Sequence, residues 1–369
     1  MGTLQTGRVT TRGPSAELDK WLDDNASELD TGTALKAEVV PKLASAGLFR
    51  VGVPVTHGGA GGQTADAVDA IASLAERSLT AAFVLWGQRT FVEYLLRSPN
   101  SALRKRLLPA VLDGRIAGAT GLSNAMKHLS GIETLQVKAT PDASDAACRR
   151  LNGKLAWVTN LRPEGFVVAA AVARRDGDGA SIVVIPHSSE GLTRSADLEL
   201  IALRSSNTAA LTIDHVHSDP SWELHPDAAV FLPEARPAFL VLQCGMSIGL
   251  ARRSLDEASR ASSRAVLGPE IQATREALKL TYGDMLRGIG DGSFRSSPSS
   301  LFRIRIALAD LVHRAVHLEL QASGGRGYLR DANVGFDRRW REAAFIPIVT
   351  PSLVQLKTEL DRCSRSEAA

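Results

Sequence analysis

The sequence predicts an α+β fold in three segments, helices, then strands, then helices. Three observations carry this expectation. Apolar residues recur at helical spacing through the first third and again from Pro233 onward. From Ile116 to about Leu232 the pattern turns to short β-rich runs broken by Gly, Asp, Asn and Pro. Nowhere do strand and helix patterns alternate, which argues against a doubly wound sheet. The expected division is residues 1–115, helical; 116–232, β; and 233–369, helical.

In the first segment Ser15 is placed to cap a helix over 16–29, with Leu18, Trp21 and Leu22 on one face. A second helix over 33–47 carries Leu35, Val39 and Leu43 at helical spacing, with Pro41 predicting a kink or restart. Residues 48–54 read as short and extended, and 57–62 as a glycine-rich loop. Helices are expected over 64–77, 80–97 and 101–113. In the middle segment strands are expected over 116–120, 134–139, 155–159, 165–173, 181–185 and 210–213, with 174–179 as a hairpin turn. In the last segment 235–259 is an apolar helix with Pro237 in its first turn and Gly245 and Gly249 for close packing. A second helix covers 270–287, a loop 288–300, and a strongly striped helix 301–322; a polar tail closes the chain.

The length of 369 residues exceeds what one compact core usually holds, consistent with several segments. Apolar content of 44% and charged content of 22% exclude a disordered or collagen-like chain. The net charge of +3 predicts no nucleic-acid footprint. Cys148, Cys244 and Cys363 lie too far apart for a disulfide framework or a zinc site. The longest apolar run, 166–173, is too short to span a membrane, and residues 1–13 lack the apolar stretch of a secretory signal, so the cytoplasm is the expected location.

Single motifs are weak. Gly58-Gly59-Ala60-Gly61-Gly62 lacks the Lys-Ser/Thr of a phosphate loop and reads as a connection. Ser123, His128 and Asp142 lack the setting of a nucleophilic triad, and His215, His217 and His225 lack ligand spacing. Trp157-Val158-Thr159-Asn160 is more informative. It ends a strand with a flat ring, then a hydroxyl, then a turn residue, as a wall and donor for a planar cofactor require; a strand-end aromatic covering the core is the competing explanation. Gly324-Gly325-Arg326-Gly327-Tyr328 offers amides to a phosphate or simply stops a helix.

The order of these segments resembles the acyl-CoA dehydrogenase family from about Ala16 to Lys357. Residues 48–54 with Gly58-Gly59 resemble an early family connection. Leu151-Asn152-Gly153-Lys154-Leu155-Ala156-Trp157-Val158-Thr159-Asn160 resembles its L-N-G-x-K-x-W-I-T-N strand pair, the most specific match. Residues 203–208, Arg264 to Gly268, Gln321 to Tyr328 and Arg341-Glu342-Ala343 follow in family order. The resemblance implies a helical N-terminal domain, a central β-domain and a C-terminal four-helix domain, with FAD at their junction. It places Trp157 and Thr159 at the flavin ring, and Thr120, Gly121, Ser123 and Lys127 in the segment after the first strand. It gives Arg264, Gln321, Gly324 and Gly325 to the FAD of a neighbouring subunit, hence a homodimer or homotetramer. An electron-transfer flavoprotein or a flavin reductase is the implied electron partner.

Two departures stand out. The family's T-E-P-x-x-G-S-D segment is replaced by Gly121-Leu122-Ser123-Asn124-Ala125-Met126-Lys127-His128, leaving Lys127 as either a direct phosphate contact or a solvated loop residue. The family's catalytic glutamate, counted from Arg341, corresponds to Thr350; the alternative position, on a helix of the C-terminal domain, corresponds to Ala238. Neither holds a carboxylate, and a threonine hydroxyl is far too weak a base. Glu234, one helical turn before Ala238, and His128 are the candidate replacements; a first-turn helix carboxylate and an exposed loop histidine are the competing explanations. The expectation is therefore an FAD-dependent oxidoreductase acting on a CH–CH bond beside a thioester or carbonyl. A flavin-dependent monooxygenase using reduced flavin and oxygen, or a non-catalytic flavoprotein, are the alternatives.

Overall fold

A computed structural model of the chain describes residues 15–143, 145, 147–174, 179–261, 264–329 and 335–367. The segment 1–13, the centre of the expected turn at 175–178 and the side chain of Arg264 lie outside the described residues. The N-terminal helices are α1 (Ala16–Thr31), α2 (Val39–Ser45), α3 (Thr64–Ala75), α4 (Leu79–Arg97) and α5 (Ser101–Leu112). Ser15 Oγ accepts from the Leu18 amide at 3.2 Å, so the cap lies where the sequence puts it. α2 starts at Val39, with Pro41 in its first turn, where a missing amide is tolerated.

Residues 48–54 are not extended throughout. Gly47, at φ 74°, reverses the chain, and Leu48–Arg50 coil into a 3-10 turn that buries Leu48 and Phe49. The glycine-rich loop folds on itself. The Gly61 amide donates to the Val53 carbonyl at 2.8 Å, and a Cβ on Gly59 would sit 2.0 Å from that carbonyl oxygen. Its glycines serve a close backbone approach, as a connection requires.

The middle of the chain is one eight-stranded sheet. In chain order it contains β1 (Ala117–Thr120), helix α6 (Ser123–Leu129), β2 (Val137–Pro141), β3 (Arg149–Val158), β4 (Phe166–Arg174), β5 (Ala180–Pro186), β6 (Leu192–Asp197), β7 (Ala209–Ser218) and β8 (Glu223–His225). The order across it is β6-β7-β3-β2-β4-β5-β8, and β1 also pairs with β4. β1 and β2 both run parallel to β4, against opposite halves of it; the other pairings are antiparallel. Strands β6 and β8 and helix α6 are absent from the sequence expectation. β6 is mostly exposed and β8 has three residues, so neither leaves a clear alternation.

The C-terminal helices are α7 (Ala228–Arg260), α8 (Arg264–Gly290), α9 (Ser293–Ser296), α10 (Pro298–Ser323), α11 (Phe336–Phe345) and α12 (Leu353–Glu367). α7 begins earlier than Pro233 because Asp227 Oδ1 caps the Ala229 amide at 2.7 Å; Pro233 and Pro237 both lie within the helix. Gly245 and Gly249 do pack closely: a Cβ on either would strike the α3 backbone at Val68 or Ala72. The expected loop over 288–300 contains α9, since Gly288 leaves room for the Phe294 ring, and α10 starts within it at Pro298. The tail is helical to Glu367.

Candidate functional site

Helix α4 is the central element of the site. It is buried along almost its whole length and runs past the ends of β1 and β3. A Cβ on Gly87 would lie 3.7 Å from Asn160 Cβ and 3.9 Å from Thr159 Cγ2, so the helix backbone approaches the end of β3 at this glycine. Beside it, Gln88 Oε1 accepts from Asn160 Nδ2 at 2.7 Å and from the Gly118 amide at 2.8 Å. Gln88 thus ties β1, the end of β3 and α4 together. Two turns on, the Tyr94 and Thr120 hydroxyls share a hydrogen bond of 2.9 Å. Thr159 and Thr120 therefore border the same helix, roughly 10 Å apart along its axis at 1.5 Å per residue.

At the end of β3, Thr159 is buried and its hydroxyl bonds to that of Thr208 at 2.6 Å. Asn160 Oδ1 is buried without a hydrogen-bond partner among the described residues. Trp157, two residues before Thr159, is 63% exposed. A strand-end aromatic that served only to cover the core would be buried, so that explanation of Trp157 is overturned.

A second wall comes from the C-terminal helices. Gln243 on α7 donates from Nε2 to the Thr350 carbonyl at 2.9 Å. Its Oε1 accepts from Arg305 Nε at 2.8 Å, and Arg305 Nη2 donates to the Ile346 carbonyl at 2.5 Å. One guanidinium thereby holds both ends of the 346–350 loop. Arg305 is 0% exposed, and its Nη1 has no hydrogen-bond partner among the described residues. Burial lowers its pKa from the ordinary arginine value, though not enough to discharge a guanidinium at neutral pH. Burial also pushes the neighbouring Cys244 thiol up to about 12, so it is neutral and no base. The start of the loop is fixed through α11: Glu342 accepts from Arg338 and from the Leu79 amide at 2.9 Å, and Arg341 reaches buried Asp30 at 2.9 Å.

Between the two walls lie four aromatic rings. Phe83 stacks on Trp86 with centroids 5.5 Å apart, and meets Phe345 edge-on at 4.7 Å. Trp86 meets Phe239 edge-on at 5.1 Å, and its indole N–H donates to the Phe239 carbonyl at 3.2 Å. The cluster adjoins both walls along the chain: Trp86 precedes Gly87, which approaches Thr159, and Phe239 lies one turn before Gln243, which donates to the Thr350 carbonyl.

Glu234 and Ala238 are not part of this arrangement. With Thr64, Arg97, Val241 and Arg295 they line a separate cavity of about 370 Å³. At 100° per residue, Glu234, Ala238 and Val241 face roughly 150° away from Phe239 and Gln243 around α7. The residue of α7 that faces Trp86 is Phe239, one position past Ala238. His128 lies exposed on α6, where its Nδ1 meets the Glu133 carbonyl at 3.1 Å. A carbonyl only accepts, so Nδ1 carries the proton. Lys127 is half-buried and ion-paired with Glu133 at 2.6 Å. Ser123 opens α6. The Gly121 amide is spent on the Ala169 carbonyl, and its missing Cβ makes room for that carbonyl and Leu155. Gln321, Gly324 and Gly325 are exposed at the end of α10, with open space around both glycines. Arg264 opens α8. Phe239, Gln243 and Arg305 were missed by sequence reasoning; the one available signal was a polar pair, Gln243 and Arg305, inside otherwise apolar helical stripes.

Residues 16–115 match the family profile described as "Acyl-CoA dehydrogenase, N-terminal domain". Over 359 residues the chain is 23% identical to a Bacillus subtilis (strain 168) protein named "Probable acyl-CoA dehydrogenase YngJ", covering 89% of this chain and 90% of that one. Its fold is shared with butyryl-CoA dehydrogenase from Megasphaera elsdenii, at TM-score 0.77 and 18% identity over 93% of this chain and 96% of that one. It is shared also with KijD3 in complex with FMN and a dTDP-linked amino-keto sugar, at TM-score 0.81 and 19% identity over 95% and 92%. Among the described residues no helix is long and apolar enough to cross a membrane.

Proposed function

The chain belongs to the acyl-CoA dehydrogenase family, and from that premise we propose that it is an FAD-dependent oxidoreductase acting on a CH–CH bond beside a thioester or carbonyl, without the family's usual glutamate base. The residues present fit a flavin. Trp157 offers an uncovered ring face, and the buried Asn160 Oδ1 beside Thr159 lacks the donor that a buried acceptor requires. Trp157, Thr159 and Thr120 would hold the flavin, which when bound supplies a two-electron acceptor for a hydride. We extend the proposal to a homo-oligomer in which Gln321, Gly324 and Gly325, together with the Arg264 position, serve the cofactor of a neighbouring subunit; the exposed Tyr328 and Leu329 that follow Gly325 in the chain support it.

The observation that carries the reaction class is the loop at Thr350. Its carbonyl is engaged by Gln243, while its amide makes no main-chain hydrogen bond among the described residues. An amide fixed in this way stabilises charge developing on a substrate carbonyl oxygen, whatever the side chain. The side chain is a hydroxyl that cannot accept the α-proton at neutral pH. Glu234 faces the other side of α7, so the native protein is expected to oxidise ordinary saturated acyl-CoA substrates very slowly. Anaerobic stopped-flow flavin reduction tests this, comparing the native protein with Thr350→Glu. Reduction should become measurable only in the variant. Rapid reduction of the native protein would refute the loss of the base and make His128 the first residue to replace.

The hydroxyl at position 350 also favours a second reading, a monooxygenase that takes reduced flavin and oxygen and needs no base there. KijD3, with its FMN and sugar ligand, supports the view that this fold serves ligands other than thioesters. Product formed from chemically reduced flavin and oxygen, with no anaerobic bleaching by any acyl thioester, would decide for it.

A further inference from the structure

The cavity on the far side of α7 is built where several elements meet. Arg97 ends α4, Glu234, Ala238 and Val241 lie on α7, and Phe294 and Arg295 lie on α9. Its apolar wall is firm. Ala238, Val241 and Phe294 are buried, and the Phe294 ring packs so closely on Gly288 that a Cβ there would stand 2.2 Å from it. Its rim is charged with both signs. Glu234 and Arg295 border the same cavity, yet neither makes an ion pair or a side-chain hydrogen bond among the described residues. Arg97 shares Glu93 with Arg89, so that trio keeps one positive charge in excess. Asp291, also on the rim, accepts from the Ser293 amide at 2.9 Å, and this bond holds its carboxyl below the ordinary aspartate value, ionised at neutral pH. Two surplus guanidinium charges therefore face two carboxylates. A lone solvated carboxylate would mean little. A balanced set of opposite charges that stay apart around an apolar wall complements a molecule bearing both signs.

We propose that this cavity binds a small zwitterion with an apolar side chain, an α-amino acid such as leucine or phenylalanine. Its carboxylate meets Arg97 and Arg295, its ammonium meets Glu234 and Asp291, and its side chain lies on Ala238, Val241 and Phe294. The volume of about 370 Å³ is within the range of small-molecule sites, and such sites collect where segments of a fold meet. A simple anion would leave the two carboxylates facing it, and a simple cation the two guanidiniums. The body of α7 separates this cavity from the Thr350 loop, so the site does not depend on the flavin or thioester reading.

The test is isothermal titration of the full chain with leucine, phenylalanine and glycine, and with two analogues of leucine that carry one charge each. Leucinamide keeps the ammonium, and 4-methylpentanoate keeps the carboxylate. Losing one charged contact should weaken binding about tenfold or more, so leucine should exceed both analogues by that factor. Glycine, with nothing to lay on the apolar wall, should also bind more than about tenfold more weakly than leucine. Glu234→Gln should reduce the advantage of leucine over 4-methylpentanoate, and Arg295→Ala its advantage over leucinamide. Both residues are exposed, so the variants should fold, and unchanged melting without ligand checks this. No heat from leucine or phenylalanine up to about 10 mM would overturn the proposal, as would a melting temperature unmoved by either. Equal binding of leucine and 4-methylpentanoate would overturn the ammonium contact and leave a carboxylate site instead of a zwitterion site. Leucine binding that neither substitution alters would put the ligand elsewhere and overturn the assignment of this cavity.

Discussion

Helix α7 carries different chemistry on its two sides. Toward α4 and α10 it presents Phe239 and Gln243, both buried, one meeting the Trp86 ring and the other relaying Arg305 to the Thr350 carbonyl. Toward α8 and α9 it presents Glu234, Ala238 and Val241 to a cavity shared with Arg97 and Arg295. On the first side the buried amide of Gln243 is directed at one loop and at the guanidinium that holds it. The second has charges in a solvated setting. A carboxylate on the second side is cheap to keep and tells little, whereas a buried amide on the first side is costly unless it has a task.

The largest effect is expected where charge is buried near the cavity side. Arg97, which lines the cavity, is neutralised by Glu93, and Glu93 also accepts from fully buried Arg89 at 2.9 Å. Burial alone raises the Glu93 pKa, but Arg89 and Arg97 outweigh it, and the carboxyl lies below the ordinary glutamate value. A depressed folded-state pKa contributes stability that is complete above the unfolded value, about 4.3, and is lost as pH falls below it toward the folded value. Glu93→Gln should therefore destabilise the protein by about 3–5 kcal/mol at neutral pH, as expected when one member of a buried pair is removed. Its melting temperature should also fall less than the native one between pH 5 and the acid limit; parallel pH profiles for the two proteins would contradict the assignment.

The relay side is sharpened by two changes at Gln243. Gln243→Leu removes the donor to Thr350 and leaves Arg305 with the Ile346 carbonyl as its one remaining acceptor in this relay. Losing a hydrogen bond to a buried charge should cost about 2–3 kcal/mol in urea denaturation. Gln243→Glu separates the two functions, because a carboxylate accepts from Arg305 but cannot donate to Thr350. It should keep more of the global stability while hydrogen exchange quickens over residues 346–350. Unchanged exchange in that loop would show that the relay does not hold it.

How much of this was visible in the sequence differs along the chain. The capped start of α1 and the strand ending in Trp157-Val158-Thr159-Asn160 are local patterns, readable from residue type and spacing. The contact of Gly87 with Thr159, and the bonds from Gln88 to Asn160 and Gly118, join residues remote in sequence and leave no local trace. Phase along α7 is equally hard to read: Ala238 and the neighbouring Phe239 differ by 100° around the helix, so one lines the cavity of Arg97 and Arg295 while the other meets Trp86. Asp227 went unrecognised as a cap because two prolines follow it, and proline suggested a later start. Helices α11 and α12 are rich in charge with narrow apolar stripes, and α6 has only two turns. All three depend on tertiary anchors, such as Gln355 donating to the Met126 carbonyl at 2.9 Å.

The smallest effect is expected at Glu234, and it is the sharpest test of the contrast between the two sides. Glu234 is exposed, and no ion pair or hydrogen bond of its side chain is seen among the described residues. Its proximity in sequence to Ala238 is what made it a candidate base. Yet a base must come within hydrogen-bond reach of the proton it removes, directly or through one water. Glu234 instead shares the cavity of Arg97 and Arg295, with the body of α7 between it and the Thr350 loop. Glu234→Gln should shift stability by no more than about 0.5 kcal/mol, the usual range for a surface change. It should also leave unaltered whatever flavin reduction Thr350→Glu introduces, because the new carboxylate acts from the opposite side of the helix. The measurement is stopped-flow reduction of Thr350→Glu with and without Glu234→Gln under the same substrate. A tenfold loss in the double variant, with folding intact, would mean that the two sides of α7 serve one site, and the division between them would have to be given up.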